Sequence, residues 1–103
     1  MTVRFIVHTI IHVDITYDPA KNASNIELRG LDFQRVAEFE FNSALFEVDE
    51  RRDYGESRIT AISTLDGVPH VLIFTMREES LRVISFRKAN KREVRRYEKA
   101  TKP

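Results

Sequence analysis

The stretch "RITAISTLDGVPHVLIFTMR", Arg58 to Arg77, constrains the fold more than any other part of the chain. Two runs rich in β-branched and aromatic residues flank Asp66-Gly67. That pair suits a type I′ turn, whose central positions need positive φ, and Gly adopts positive φ without steric cost. The reading is an antiparallel hairpin. A further run, "LRVISFR" (Leu81 to Arg87), follows after "EES" as the next strand. Before the hairpin, "ALFEV" (Ala44 to Val48) reads as a strand and "DERRDYGES" as a polar loop. Short connections between consecutive strands predict a mainly antiparallel four-stranded sheet, and with the helices described next the class is α+β.

Two helix signals precede this sheet. Asp18-Pro19 opens the first: Asp accepts from free N–H groups, and Pro suits the first helical position because it has no N–H to leave unpaired. Ala23 and Ile26 are its expected inward residues, and Gly30 is its natural stop. Asp32 is placed to cap a second short helix with Phe33, Val36, Ala37 and Glu40 on one side, ending at Asn42. The two are expected to pair as a helical hairpin. Val3 to Tyr17, rich in Val, Ile, Thr and Phe, reads as extended. At the other end, Asn90 with Glu93 three residues on forms a capping box, and Val94 and Tyr97 make the inward stripe of a last helix. Residues 1–14 are read as an extended N-terminal extension and residues 15–103 as a single domain.

A chain of 103 residues supports one modest core. It has no Cys, hence no disulfide, thiol nucleophile or thiolate metal site. No apolar run approaches the roughly 20 residues that span a bilayer, and no signal-peptide pattern is present. The expected setting is cytoplasmic, without membrane contact. Charge is distributed unevenly along the chain. Between Arg82 and Lys102 nine basic residues face two acidic ones, a local charge of +7 in a chain whose formal charge is +1. Such polarity suits an anionic partner, although charge pattern alone more often means a solvated helix face.

The histidines do not support a metal site. His8, His12 and Asp14 can meet on a helix, but their β-branched surroundings favour a strand, where four residues span about 13 Å. Joint coordination needs ligand bonds near ~2 Å. His70 precedes the apolar run "VLIF" and reads as a structural residue at a strand start. No cofactor is expected.

Several motifs then fall in one order: "YDPAKNASNI", "RGLDF", "DERRDYGESR", "IFTMR", "LRVISFRKA" and "KREVRRY". In this order and spacing, from about Ile15 to Tyr97, the chain resembles the BrnT family, the toxin half of a bacterial type II toxin–antitoxin pair. The resemblance implies a RelE-like fold and an endoribonuclease that cleaves RNA without metal or cofactor. It also implies a BrnA-like antitoxin that binds operator DNA, so that the toxin reaches DNA only through its partner; a homodimer is left open. Three features depart from the family pattern. Leu28-Arg29-Gly30 stands where the family carries Lys-His-Gly, Phe86 stands in place of an Ala, and residues 1–14 precede the usual start.

Cleavage by the 2′-hydroxyl requires proton removal, proton donation to the leaving oxygen, and stabilisation of charge on phosphorus. Arg suits the last task, because its guanidinium stays charged and grips phosphate oxygens as a fork. Arg58 and Arg87, both on predicted strands and both matching the family pattern, are the first candidates. Lys21, in the family's Asp-x-x-Lys pattern, Glu93 as an acid or base, and the strand hydroxyls of Thr75 and Ser85 complete the catalytic set. The competing roles are surface ion pairs for the arginines, a solvated first turn for Lys21, helix capping for Glu93 and cross-strand bonding for the hydroxyls. Alternation places Arg87 with Ser85 on one face of the strand and Arg82 on the other. Arg82, Lys88, Lys91, Arg92, Arg95 and Arg96 are expected to draw in the RNA backbone, or to receive an acidic stretch of antitoxin. Tyr97 is expected to pack inward and not to stack on a base. The alternative reading is a non-catalytic RNA-binding or antitoxin-dependent co-repressor module of the same fold.

Overall fold

The computed structural model describes residues 3–7, 11–49 and 56–102, with side chains from Asp14 onward; His8 and most of the polar loop before Arg58 lie outside the described residues. The strands are β1 (Val3–Val7), β2 (Ile11–Tyr17), β3 (Leu45–Asp49), β4 (Arg58–Leu65), β5 (Val68–Arg77) and β6 (Ser80–Lys88). Helix α1 covers Pro19–Arg29 and α2 covers Lys91–Thr101. The class is α+β, but the sheet is six-stranded and mixed, in the order β1-β2-β6-β5-β4-β3. The expectation of four antiparallel strands fails at the N-terminal run. That run folds back on itself as β1 and β2, and β2 then pairs in parallel with β6, Ile15 opposite Leu81 and Tyr17 opposite Val83. A parallel pair needs a long crossover, which the segment from α1 to β5 supplies.

The hairpin forms as its sequence demands. Asp66 and Gly67 have φ of 52° and 77°, and Leu65 pairs with Val68 across the turn. Helix α1 also begins and ends where its caps stand: the Asp18 carboxylate accepts from the Ala20 N–H at 2.9 Å, and Gly30 turns left-handed at φ 65°. Its inward face is not the expected one, however. Ala23 and Ile26 are exposed, while Asn22 and Asn25 are buried. The amides are inside because they satisfy backbone there. Asn22 Oδ1 accepts from the Phe33 N–H at 2.7 Å, and Asn25 Nδ2 donates to the carbonyls of Leu31 and Phe86, each at 2.9 Å. Beyond Val83, β6 has lost β2 as a neighbour, and Asn25 bonds to that uncovered edge.

The second expected helix is two 3-10 turns, Phe33–Glu38 and Phe41–Ser43. Asp32 does cap the first, accepting from the Gln34 N–H at 2.9 Å. The α-helical register breaks because the Glu40 N–H bonds to the Thr64 carbonyl of β4 instead of a helical carbonyl. Phe33, Val36 and Phe39 thereby pack on one sheet face with Ile15, Leu65, Leu72, Phe74, Leu81, Val83 and Phe86. Phe86 is fully buried, edge-on to Phe39 at 5.9 Å between ring centroids. Burying one such ring contributes on the order of 2–3 kcal/mol.

The opposite face carries α2, which lies against β3 and β4. The predicted capping box is present: Asn90 Oδ1 accepts from the Glu93 N–H, and the Glu93 carboxylate accepts from the Asn90 N–H, both at 2.9 Å. Val94 and Tyr97 are half-buried, and the Tyr97 hydroxyl lies 3.3 Å from that of Ser43. An ion pair from Arg96 to Glu47 ties the helix to β3.

Candidate functional site

A β-bulge decides which side chains share the face under α2. Along β5 and β6 the register runs Thr75 opposite Arg82 and Phe74 opposite Val83, then shifts so that Ile73 faces Ser85 and Val71 faces Arg87. Ile84 is the extra residue. On the regular strand β5, Val71, Ile73 and Thr75 point the same way, so their partners Arg87, Ser85 and Arg82 do too. Simple alternation along β6 had put Arg82 on the opposite face from Arg87, and the bulge reverses that placement. The core confirms the parity: Leu81, Val83 and Phe86 are all buried in the cluster on the other side.

One cross-strand row results. Arg58 lies one position beyond the Ile59–Phe74 pair, beside Thr75, and Arg82 lies on the other flank of Thr75. The two arginine backbones are therefore two strand spacings apart, about 10 Å. Asp49 of β3 is the register partner of Arg58, and Thr16 of β2 is that of Arg82. Thr75 is buried and donates its hydroxyl hydrogen to the Ser57 carbonyl at 2.8 Å. Its hydroxyl thus fixes the entry to β4 next to Arg58, so it positions that residue and is not turned toward solvent. Arg58 and Arg82 are both half-buried, and Nε of Arg58 is buried.

Farther along β6, Arg87 is engaged. Its Nη1 and Nη2 donate to the two Glu93 oxygens at 2.8 and 2.9 Å, and Nη1 also reaches the Lys88 carbonyl. Hydrogen bonding to Glu93 raises the Arg87 pKa against the opposing effect of burial. The same bond, with help from the Asn90 N–H, holds the Glu93 carboxyl below its ordinary value. Glu93 therefore sits as a carboxylate that caps α2 and orients Arg87. It is not arranged to exchange protons at neutral pH.

Two concavities flank the α1 side of the sheet. Lys21 and Ser85, with the bulge residue Ile84, line a cleft of about 350 Å³ between α1 and β6. A larger cavity, about 610 Å³, opens where Arg29, at the end of α1, meets the β4–β5 turn and the end of β6. Arg87, expected as a catalytic residue, and Lys88, expected as an RNA-binding cation, line it together with Arg29, Arg35 and His70, for which the sequence offers no site role. Hairpin arithmetic held the missing signal, because His70 is the register partner of Lys88. Arg35 bonds to Glu38 and Asp66, and these bonds raise its pKa. Lys91, Arg92 and Arg95 are exposed on α2, as is Arg96 beside Glu47.

No described helix is long and apolar enough to cross a membrane. Neither the curated proteins nor the solved structures include a significant match to this chain. A family model does match, over residues 17–93, and its description reads "Ribonuclease toxin, BrnT, of type II toxin-antitoxin system". That span runs from the end of β2 through the Arg58–Thr75–Arg82 row to Glu93, three quarters of the sequence, and the chain belongs to the BrnT family of ribonuclease toxins.

Proposed function

We propose that the chain is an endoribonuclease toxin that cleaves RNA without a metal ion in the bacterial cytoplasm and is held in check by a BrnA-like antitoxin. The row Arg58–Thr75–Arg82 carries this reading. Two half-buried arginines on one sheet face, about 10 Å apart at the backbone, can converge on one phosphate from both sides. Strand-mounted side chains position charge better than loop-mounted ones. In the reaction, the ribose 2′-oxygen loses its proton and attacks the adjacent phosphorus, and the bond from phosphorus to the 5′-oxygen breaks. The leaving oxygen takes up a proton. Arg58 and Arg82 stabilise the negative charge that builds on the non-bridging oxygens. Arg87, oriented by Glu93, and Lys88 continue the cationic track along β6, with Lys21 and Ser85 at its flank. Lys91, Arg92 and Arg95 on α2 add long-range attraction for the backbone. A RelE-like arrangement of sheet and last helix belongs to the same reading.

An antitoxin segment laid over this track would block RNA, and the antitoxin would bring the pair to operator DNA. The test is cleavage of RNA by the purified, antitoxin-free chain in EDTA. Cutting under those conditions is the expected outcome. A folded preparation inert on varied RNAs, with or without metals, would instead favour a non-catalytic RNA-binding or co-repressor module.

A further inference from the structure

The cavity at the end of α1 holds an arrangement that the cleavage reaction does not explain. His70 is 5% exposed, and its Nδ1 lies 2.7 Å from the Val68 carbonyl oxygen. A carbonyl only accepts, so in the neutral ring Nδ1 carries the hydrogen and Nε2 presents a lone pair. Phe86 holds the ring in place, with centroids 5.6 Å apart. Among the described residues no hydrogen bond reaches Nε2, which is not a fully buried atom, and His70 lines the cavity.

Two cations share this cavity without an acidic partner among the described residues. Among the described residues, Arg29 bonds to the neutral amide of Asn25, and the exposed Lys88 has no ion-pair partner. The third, Arg35, is neutralised by Glu38 and Asp66, and the fourth, Arg87, by Glu93. An acceptor lining the cavity beside two cations without an acidic partner suits a ligand that carries a hydroxyl donor next to an anion. A ribose 2′-hydroxyl beside a 3′-phosphate has that pattern, and a volume of about 610 Å³ admits one nucleotide.

We propose that this cavity is a ribonucleotide subsite in which His70 Nε2 accepts the 2′-hydroxyl hydrogen while Arg29 and Lys88 hold the adjacent phosphate. The assignment of the ligand to RNA rests on the ribonuclease reading. Val71 and Thr75, the partners of Arg87 and Arg82, lie four strand residues apart, about 13 Å. The cavity, at the Arg87 end, therefore takes a nucleotide away from the phosphate between Arg58 and Arg82. Because DNA lacks the 2′-hydroxyl, His70 would also make the protein prefer RNA.

The test titrates the full chain with adenosine 3′-monophosphate and its 2′-deoxy counterpart, followed by NMR. The ribonucleotide should bind roughly fivefold tighter, the value of one hydrogen bond near 1 kcal/mol, with shifts centred on His70 and Lys88. His70→Phe keeps a ring against Phe86 and should bring the ratio to about one. Arg29→Gln and Lys88→Gln should weaken both nucleotides by similar factors and leave the ratio intact. An unchanged ratio in His70→Phe, shifts centred elsewhere, or no binding of either nucleotide overturns the subsite. RNA cleavage in EDTA, assayed on the same sample, keeps the two ideas apart. Cleavage without nucleotide binding sinks the subsite alone, and binding without cleavage sinks the ribonuclease reading alone.

Discussion

Arg87 and Glu93 form a bidentate ion pair, Nη1 to Oε1 at 2.8 Å and Nη2 to Oε2 at 2.9 Å, that joins the end of β6 to the first turn of α2. Glu93 also completes the capping box with Asn90, so one carboxylate serves both the helix start and the sheet contact. Arg87→Ala is expected to loosen α2 as well as to lower RNA affinity. Removing the charged hydrogen bonds should cost about 1–3 kcal/mol, which for a domain of this size lowers Tm by roughly 4–8 °C per kcal/mol. A thermal melt of the variant checks this. An unchanged Tm would show the pair to be thermodynamically idle.

The same pair sets a pH dependence with a definite sign. Bonding to Arg87 keeps the folded Glu93 pKa below its unfolded value. Its stabilisation is therefore fully present above the ordinary Glu value, about 4.3, and is lost as pH falls through the lowered folded value. Stability curves of the native chain and Glu93→Gln should be separated at neutral pH and converge in acid. Curves that stay parallel down to acid unfolding would remove Glu93 as the source.

Arg58 and Arg82 are expected to matter for chemistry together. Arg58→Ala and Arg82→Ala should each lower single-turnover cleavage by roughly 10²–10³, the cost of removing one transition-state donor. Lys should restore little, since it cannot form the planar fork. Circular dichroism distinguishes this from unfolding. Near-native rates in both folded alanine variants would move the reacting phosphate elsewhere.

Local chemistry was legible in the sequence, and parity across the sheet was not. Asp66-Gly67, Asp18-Pro19, Gly30 and the Asn90–Glu93 box act within four residues of themselves, and each forms where its residue types require. The Ile84 bulge leaves no such local mark. One extra residue flips every side chain beyond it, which is why Arg82 joins Arg87 and Ser85 on one face. The asparagine face of α1 was missed for a related reason. Apolar periodicity points to Ala23 and Ile26, whereas the partners that draw Asn22 and Asn25 inward sit up to 61 residues away. His70 read as structural for want of a pattern, and only the fold puts it beside Arg29.

Asn25 gives that lesson a measurable form. Its amide satisfies the Leu31 carbonyl, after the Gly30 turn, and the Phe86 carbonyl on the β6 edge. Asn25→Ala should leave two buried acceptors without donors and destabilise the chain by about 2–4 kcal/mol. Ala23→Leu, on the exposed side, should change stability by less than about 0.5 kcal/mol. Denaturant midpoints decide the matter, and equal losses at the two positions would contradict the inward amide face.

The basic face of α2 separates attraction from chemistry. Lys91, Arg92 and Arg95 are exposed, whereas Arg96 is already engaged with Glu47 on β3. Replacing all four with Gln should weaken RNA binding and flatten its dependence on salt. Each lost phosphate contact removes roughly 0.7 from the slope of log K against log salt for single strands. The change should be nearer three contacts than four, about 2, because Arg96 spends its charge on Glu47. Restoring Arg96 alone should then recover stability more than affinity, since its partner belongs to the edge strand. The helix should persist, because Gln is a good helix former and the Val94–Tyr97 stripe and the Asn90–Glu93 cap are untouched. Cleavage at saturating RNA should fall far less than in the Arg58 or Arg82 variants, because long-range charge gathers substrate without touching the reacting phosphate. A salt slope unchanged in the fourfold variant would mean that this face is only solvated, and the cationic track would end at Lys88.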